Sequence, residues 1–348
     1  MMRKVVACCF FLVSSVLSFG QISVDVGDLN YDTNYIESYA DNLVLRMFTS
    51  TKYTEAGLND SKLQKNLIYH PNDKTNLGLG FNYRWLGLNI GFNLGFINND
   101  NEIYGETKSL DLQSQFYLRK FVIDLYLQYY SGFYLENTKD VMENWPEDGT
   151  YYIREDISNY IAGLNLQYIF NHRKFSYRAA YLQNERQIKS AGTWTLGGAA
   201  YLSGSYGDSS FIPSNIKYPE IFDGKRFNAS SGLNLGFNGG YGHNFVIKSR
   251  FFFTLSLVAG FALGASSIHL VDEMESRDSG LTVDFTATSR VAMGYNIRPF
   301  YIGIAFINLF IRSNSPLEKM WHIYDSGKIR FNIAYRFNTR NELGFLGL

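Results

Sequence analysis

Asn76–Phe96 reads NLGLGFNYRWLGLNIGFNLGF and alternates twice. Leu77, Leu79, Phe81, Tyr83 and Trp85 take every second position against Asn76, Gly78, Gly80, Asn82 and Arg84. After Leu86-Gly87, Leu88, Ile90, Phe92, Leu94 and Phe96 do the same against Asn89, Gly91, Asn93 and Gly95. A period of two marks a strand with one apolar and one polar or small face. The two-residue gap makes the pair a tight hairpin. Each strand has about the ~9–11 residues that a tilted strand needs to cross a bilayer. The stretch therefore predicts an all-β fold, a transmembrane antiparallel β-barrel of the outer-membrane type.

The same alternation recurs along the chain. Leu110–Leu118 and Phe121–Tyr129 flank Arg119-Lys120; Tyr160–Phe170 and Phe175–Gln183 flank Asn171-His172-Arg173. Further strands are expected at Ser190–Tyr206, Leu233–Asn238, Phe251–Leu263, Leu281–Tyr295, Phe300–Ile311 and Ile329–Phe337, with a weakly alternating first strand at Leu43–Thr54. That gives thirteen, whereas single-chain bacterial barrels carry even numbers. Twelve follow if the first strand lies outside the wall; fourteen follow if Ser209–Ile221 hides one despite Pro213 and Pro219. Proline is confined to strand starts, edges and bulges, so twelve is the expectation. Tight turns on one side and long loops on the other match the periplasmic and external ends of such barrels.

Composition agrees. Among 348 residues are 28 Phe, 26 Tyr and 31 Gly but 6 Pro, as aromatic girdles and a small or polar inner face require. A soluble two-sheet sandwich would also alternate, yet its wet face would be rich in Lys and Glu, not in Gly, Asn, Gln and Thr. Mean hydropathy is −0.16.

Residues 1–20 read as a secretory signal: Arg3 and Lys4, the apolar run Val5–Leu17, then Ser18-Phe19-Gly20 before cleavage. Both cysteines, Cys8 and Cys9, fall inside it and too near the start for a lipid-anchor box. The mature chain is thus expected to have no disulfide, thiolate metal site or cysteine nucleophile. Residues 21–42 are expected to form a periplasmic lead, 43–338 the barrel and 339–348 a tail. Removing Arg3 and Lys4 leaves 30 basic against 32 acidic side chains. With no basic excess, nucleic acid is not an expected partner.

Alternation places Arg84, Asp111, Asp124, Arg178, Asp284, Arg290, Arg330 and Arg336 inward, with Asn82, Asn89, Gln113, Gln128, Asn165 and Asn234. Charges inside a barrel must pair or be hydrated. Five Arg against three Asp permit either a salt-bridged lumen or a weakly anion-preferring eyelet. The acidic loop Glu136–Asp156 reads as a solvated external loop, or as a divalent-cation or lipopolysaccharide-bridging site. None of His70, His172, His243, His269 and His322 is followed two residues later by Ser, as lipid-hydrolysing barrels require. Gly207-Asp208-Ser209-Ser210 lacks the strand–turn–helix setting of a hydrolase elbow and reads as a turn. No enzyme activity, cofactor or metal site is expected.

Tyr69-x-Pro71-Asn72 running into NLGLGFNYRWLGLNIGF, Gln183-Asn184-Glu185-x-Gln187-x-x-Ser190-Ala191-Gly192 and Gly239-Gly240-Tyr241-Gly242 resemble an envelope family catalogued as domain of unknown function 4421. The resemblance spans most of the mature chain. It implies an outer-membrane barrel and brings no catalytic residues. Expected partners are outer-membrane lipids and lipopolysaccharide, the barrel-assembly machinery through the aromatic-ended final strand, and an envelope protein at the external loops. The expected role is a small-solute channel or a barrel with partner-binding loops. The alternatives are a purely structural or adhesion barrel with a plugged lumen and, last, a lipid-acting enzyme.

Overall fold

The computed structural model describes residues 30–39, 41–83, 86–93, 98–271, 275–278 and 280–338. The chain divides into two units, residues 1–30 and 31–348, and every element below lies in the second. In chain order the strands begin β1 (Ile36–Ser38), β2 (Asn42–Asp60), β3 (Lys65–His70), β4 (Thr75–Tyr83), β5 (Leu86–Asn93), β6 (Lys108–Tyr117), β7 (Phe121–Leu135) and β8 (Tyr152–Ile169). They continue with β9 (Glu185–Gln187), β10 (Ala191–Tyr206), β11 (Phe227–Ile247), β12 (Phe251–Leu270), β13 (Glu275–Asp278), β14 (Thr282–Ile297), β15 (Phe300–Asn314) and β16 (Met320–Asn338). Three short helices are α1 (Asn101–Tyr104), α2 (Thr138–Val141) and α3 (Tyr177–Tyr181).

Leaving out β1, β3, β9 and β13, twelve long strands of 8 to 21 residues remain, all in one antiparallel sheet. β16 pairs with β2 from Met320↔Asp60 to Asn338↔Asn42, and this seam joins the two ends of the sheet. The continuous hydrogen-bonded ring has ten strands, β16–β15–β14–β12–β11–β10–β8–β7–β3–β2. The β4–β5 hairpin branches from β2, and β6 branches from β7. This corrects the strand bookkeeping in two places. Leu43–Thr54 is wall, inside β2, not outside it. Phe175–Gln183 is not a strand but contains α3, and Ser209–Ile221 is a loop.

The wall is inside out relative to a soluble sheet. On β12, Leu255, Leu257, Phe261 and Leu263 are exposed, whereas Thr254, Ser256, Val258 and Ala262 are buried. Phe237 is 83% exposed and Arg290 0%. Burying polar groups while exposing large apolar ones is favourable only where the outside is hydrocarbon. Aromatic contacts cluster at the end carrying the tight turns: Phe121–Tyr168, Trp194–Tyr241, Phe245–Phe253 and Phe300–Tyr335. Such a ring is what a girdle at a membrane interface needs.

One glycine redirects the wall. Gly132 has φ +91°, and a Cβ there would lie 2.1 Å from the Glu106 carbonyl oxygen. It marks a bulge between Ser131 and Phe133 in the pairing with β8. Before it, Tyr126, Gln128 and Tyr130 face inward; after it, Phe133 and Leu135 do. The switch aims those two side chains into the apolar cluster that closes the external end.

Candidate functional site

The lumen is where the inward side chains meet, and it is filled. Asp124 on β7 and Arg290 on β14, from nearly opposite walls, form an ion pair with neither side chain exposed. Asn165 donates to the same carboxylate oxygen at 3.1 Å and accepts from Asn238 at 2.9 Å. The Arg290 guanidinium lies 5.9 Å from the Tyr177 ring. Higher up, Asp284 accepts from Asn234, Thr282 and Asn314. Gln128 accepts from the Tyr324 hydroxyl at 3.0 Å.

Below this layer the chain between β8 and β10 turns into the barrel. Ser176 caps α3, its side chain accepting from the Ala179 amide at 3.1 Å, and its hydroxyl donates to Glu185. Glu185, 1% exposed, also holds Arg119 and Arg178. Wall side chains grip the segment: Asn82 donates to the Leu182 carbonyl at 2.6 Å, Arg46 to the Gln183 side chain at 2.7 Å and Arg336 to the Gln183 carbonyl at 2.9 Å. β1 pairs with β9 across Ile36↔Gln187 to complete this plug at the tight-turn end.

The external end is closed by Gly207–Arg226. Phe211, Ile212, Ile216, Ile221 and Phe222 pack with Leu58, Leu67, Leu135, Ile268 and Met320 from the strand ends. Arg154, paired with Asp156 at 2.7 Å, donates to the Ser210 carbonyl at 2.6 Å, and Tyr69 donates to the Phe211 carbonyl. Between cap and ion pair lies a cavity of about 40 Å³ lined by Ser203, Ser205, Ser230, His322 and Tyr324, room for a few waters at ~10–15 Å³ each.

The expected inward residues distribute as follows. Asp124, Asp284, Arg290 and Arg336 are buried in the lumen. Asp111 meets Lys52 at 3.1 Å, and Arg330 lies over the Phe48 ring at 4.6 Å. Arg178 is inside but on α3, so it belongs to the plug rather than the wall. Arg84, residues 1–20 and residues 339–348 lie outside the described residues. Asn82, Gln128, Asn165 and Asn234 are buried, whereas Asn89 is exposed.

Alternation missed Ser230 and His322, which come together from β11 and β16. The two imidazole nitrogens lie 3.0 and 3.3 Å from the same hydroxyl. Among the described residues no group of three or more His, Asp and Glu is placed to hold a metal. The charges of Glu136–Asp156 are dispersed: Glu136 reaches His70 at 3.3 Å, Asp156 pairs with Arg154, and Glu143, Glu147 and Glu155 are exposed. His70, in the short external strand, is held below the usual imidazole range by burial, against the pull of Glu136. In the next loop, burial pushes the Asp73 carboxyl up to about 8.

The wall itself is interrupted. Among the described residues β5 pairs only with β4 and β6 only with β7. Above the interruption β3 bridges β2 to β7 through Tyr69↔Leu135 and His70↔Tyr134.

The family described as Domain of unknown function (DUF4421) matches residues 30–337. Among solved structures the chain is similar to the outer membrane protease OmpT from Escherichia coli, at 7% identity and a TM-score of 0.40, covering 86% of this chain and 98% of that one. It is also similar to Ail, the attachment invasion locus protein of Yersinia pestis (9%, TM-score 0.22, 84% and 98% covered). A third is the P. putida toluene transporter TodX (7%, TM-score 0.22, 86% and 90% covered). The comparison with curated proteins gives no match.

Proposed function

The chain belongs to the DUF4421 family, and from that premise we propose that it is an outer-membrane barrel sealed along its axis, working through its external face rather than as a small-solute channel. What supports this is the Asp124–Arg290 pair spanning the lumen with no exposed surface on either side chain. A wetted ion path at that level would leave those groups accessible to water. The α3 segment below and the Gly207–Arg226 cap above close the same axis independently.

The external face offers contact surface instead. Tyr104, Tyr134 and Tyr151 cluster with ring centroids 4.9 to 5.4 Å apart, beside His70 and Glu136. Tyrosine supplies large contact area and one polar tip, and is enriched where proteins meet. The reading places the mature chain in the outer membrane after signal cleavage and assigns it no catalytic step. The test is planar-bilayer conductance of the purified mature protein. The expected result is no steps from the intact chain, and steps once residues 171–190 and 207–226 are both deleted. Stable ohmic steps from the intact protein, losing anion preference in Arg290→Ala, would overturn it.

A further inference from the structure

The interruption between β5 and β6 is not empty wall. On most long strands inward residues are buried, but on β5 Asn89 and Gly91, which face inward, are exposed together with the outward Ile90 and Phe92. The β4–β5 hairpin is thus a flap standing off the barrel. Behind it, β6 is held to the β2–β16 wall by side chains: Asp111 by Lys52 at 3.1 Å, and Gln115 by Lys328 at 2.8 Å. Flap and β6 bound a cleft whose outer rims are apolar, Ile90 and Phe92 on one side and Leu110, Leu112 and Phe116 on the other. It opens toward hydrocarbon.

The inner end of the cleft is cationic. Arg330 shares a register row with Ser50 on β2 and Asn76 on β4. Its guanidinium rests on the Phe48 ring, and that ring covers Gly78, where a Cβ would sit 2.2 Å from Phe48 Cζ. Gly78 pairs with Gly91, so the floor from Arg330 to the flap's free edge is ring and glycine. Among the described residues Arg330 has no carboxylate partner, and its Nε is buried without a hydrogen bond. Arg46 and Lys328 stand near it with neutral amide partners. The carboxylate facing this group, Asp111, is already held by Lys52.

A partly buried guanidinium whose Nε is shut off from water is costly without an anion unless something completes it. The completing group must arrive through a rim that touches lipid, so it must be carried by an apolar chain. One bare guanidinium, presenting a planar fork, matches one carboxylate. We propose that the cleft between the β4–β5 flap and β6 binds an anionic single-chain amphiphile of the fatty-acid class, its carboxylate on Arg330 and its chain along the Gly78–Gly91 floor.

The test is titration of the full mature protein, refolded in zwitterionic detergent, with a fluorescent fatty-acid probe. Wild type should bind saturably. Arg330→Gln should weaken binding at least tenfold, with part of the loss restored in Arg330→Lys. Because Arg330 makes no hydrogen bond to the fold and carries an uncompensated charge, Arg330→Gln should unfold in urea no earlier than wild type and Arg330→Lys at the wild-type midpoint. Gly91→Phe supplies a second arm: a Cβ there meets Asn76 Cβ at an ordinary 3.6 Å, and the ring beyond it would occupy the floor. It should abolish binding at an unchanged midpoint. Absence of saturable binding, or equal affinity in wild type and Arg330→Gln, would overturn the proposal. So would a lysophospholipid with an anionic phosphate head displacing the probe more tightly than the free fatty acid does, since that would make phosphate the natural head group.

Discussion

Replacing Asp124 with Asn tests the sealed lumen most directly. The substitution keeps side-chain size but removes the carboxylate paired with Arg290. Both side chains are 0% exposed, and among the described residues Nε and Nη1 of Arg290 have no hydrogen-bond partner. The guanidinium then stays buried with its charge uncompensated. Breaking a buried pair from one side costs about 3–5 kcal/mol. Arg290→Met does the converse, leaving Asp124 with the Asn165 amide, and should cost a similar amount. The double variant Asp124→Asn/Arg290→Met removes both charges and should cost far less than the sum of the singles. The expected coupling is therefore at least about 3 kcal/mol in a double-mutant cycle. Urea unfolding in lipid vesicles, followed by the heat-dependent gel shift of the folded barrel, measures it. Single variants costing under about 1 kcal/mol, or a double variant equal to the sum of the singles, would mean that water already reaches the pair.

Three further outcomes follow from other sites. Burial raises the Asp73 carboxyl from 3.8 to about 8, so the folded state resists an ionisation that the unfolded chain undergoes. Stability should fall as pH rises from about 4 to about 8, and Asp73→Asn should raise the urea midpoint at pH 8 but leave it unchanged at pH 4; the reverse order would refute the sign. Glu185→Ala strips Arg119 and Arg178 of their shared carboxylate, at a local cost of about 3 kcal/mol, so proteolysis from the periplasmic side should cut within residues 171–190 while the barrel stays heat-modifiable. A Cβ on Gly264 would lie 1.8 Å from Asp284 Oδ2, so Gly264→Ala must push that carboxylate off Asn234 and Asn314 and should cost about 1–3 kcal/mol in the same unfolding assay.

Period two made the wall readable because each long strand has hydrocarbon on one face and a packed interior on the other. β11, β12 and β16 show this directly: Leu233, Leu235 and Phe237, or Ile329, Phe331 and Ile333, lie outward without exception. The plug was not readable by the same rule. Phe175, Tyr177, Ala179 and Tyr181 stand at every second position and imitate a strand, yet all four are buried with Ala180 between them. A helix enclosed by a barrel has no wet face, so the 3.6-residue pattern that would reveal it is absent. The Ser176 cap was the available signal. Inward phase placed Asp124 and Arg290 on the same side but carried no information about which wall faces which. The meeting of Ser230 with His322, 92 positions apart, was hidden for the same reason. β3 was missed because Lys65–His70 pairs above the apolar belt, where no alternation of lipid and lumen applies.

The β2–β16 seam sets an order of events for assembly. Its partners are separated by about 260 to 296 positions, from Met320↔Asp60 to Asn338↔Asn42, whereas hairpins such as β11–β12 close across three or four residues. Closing so long a loop costs roughly 4 kcal/mol more chain entropy than closing a hairpin, from the logarithmic dependence on loop length. The hairpins therefore form first and the seam last, as a ladder of nineteen pairs zipped in one cooperative step. A nascent chain that ends before Met320 would carry every hairpin up to β14–β15 and still present two raw edges, β15 and β2, to any other chain in the periplasm.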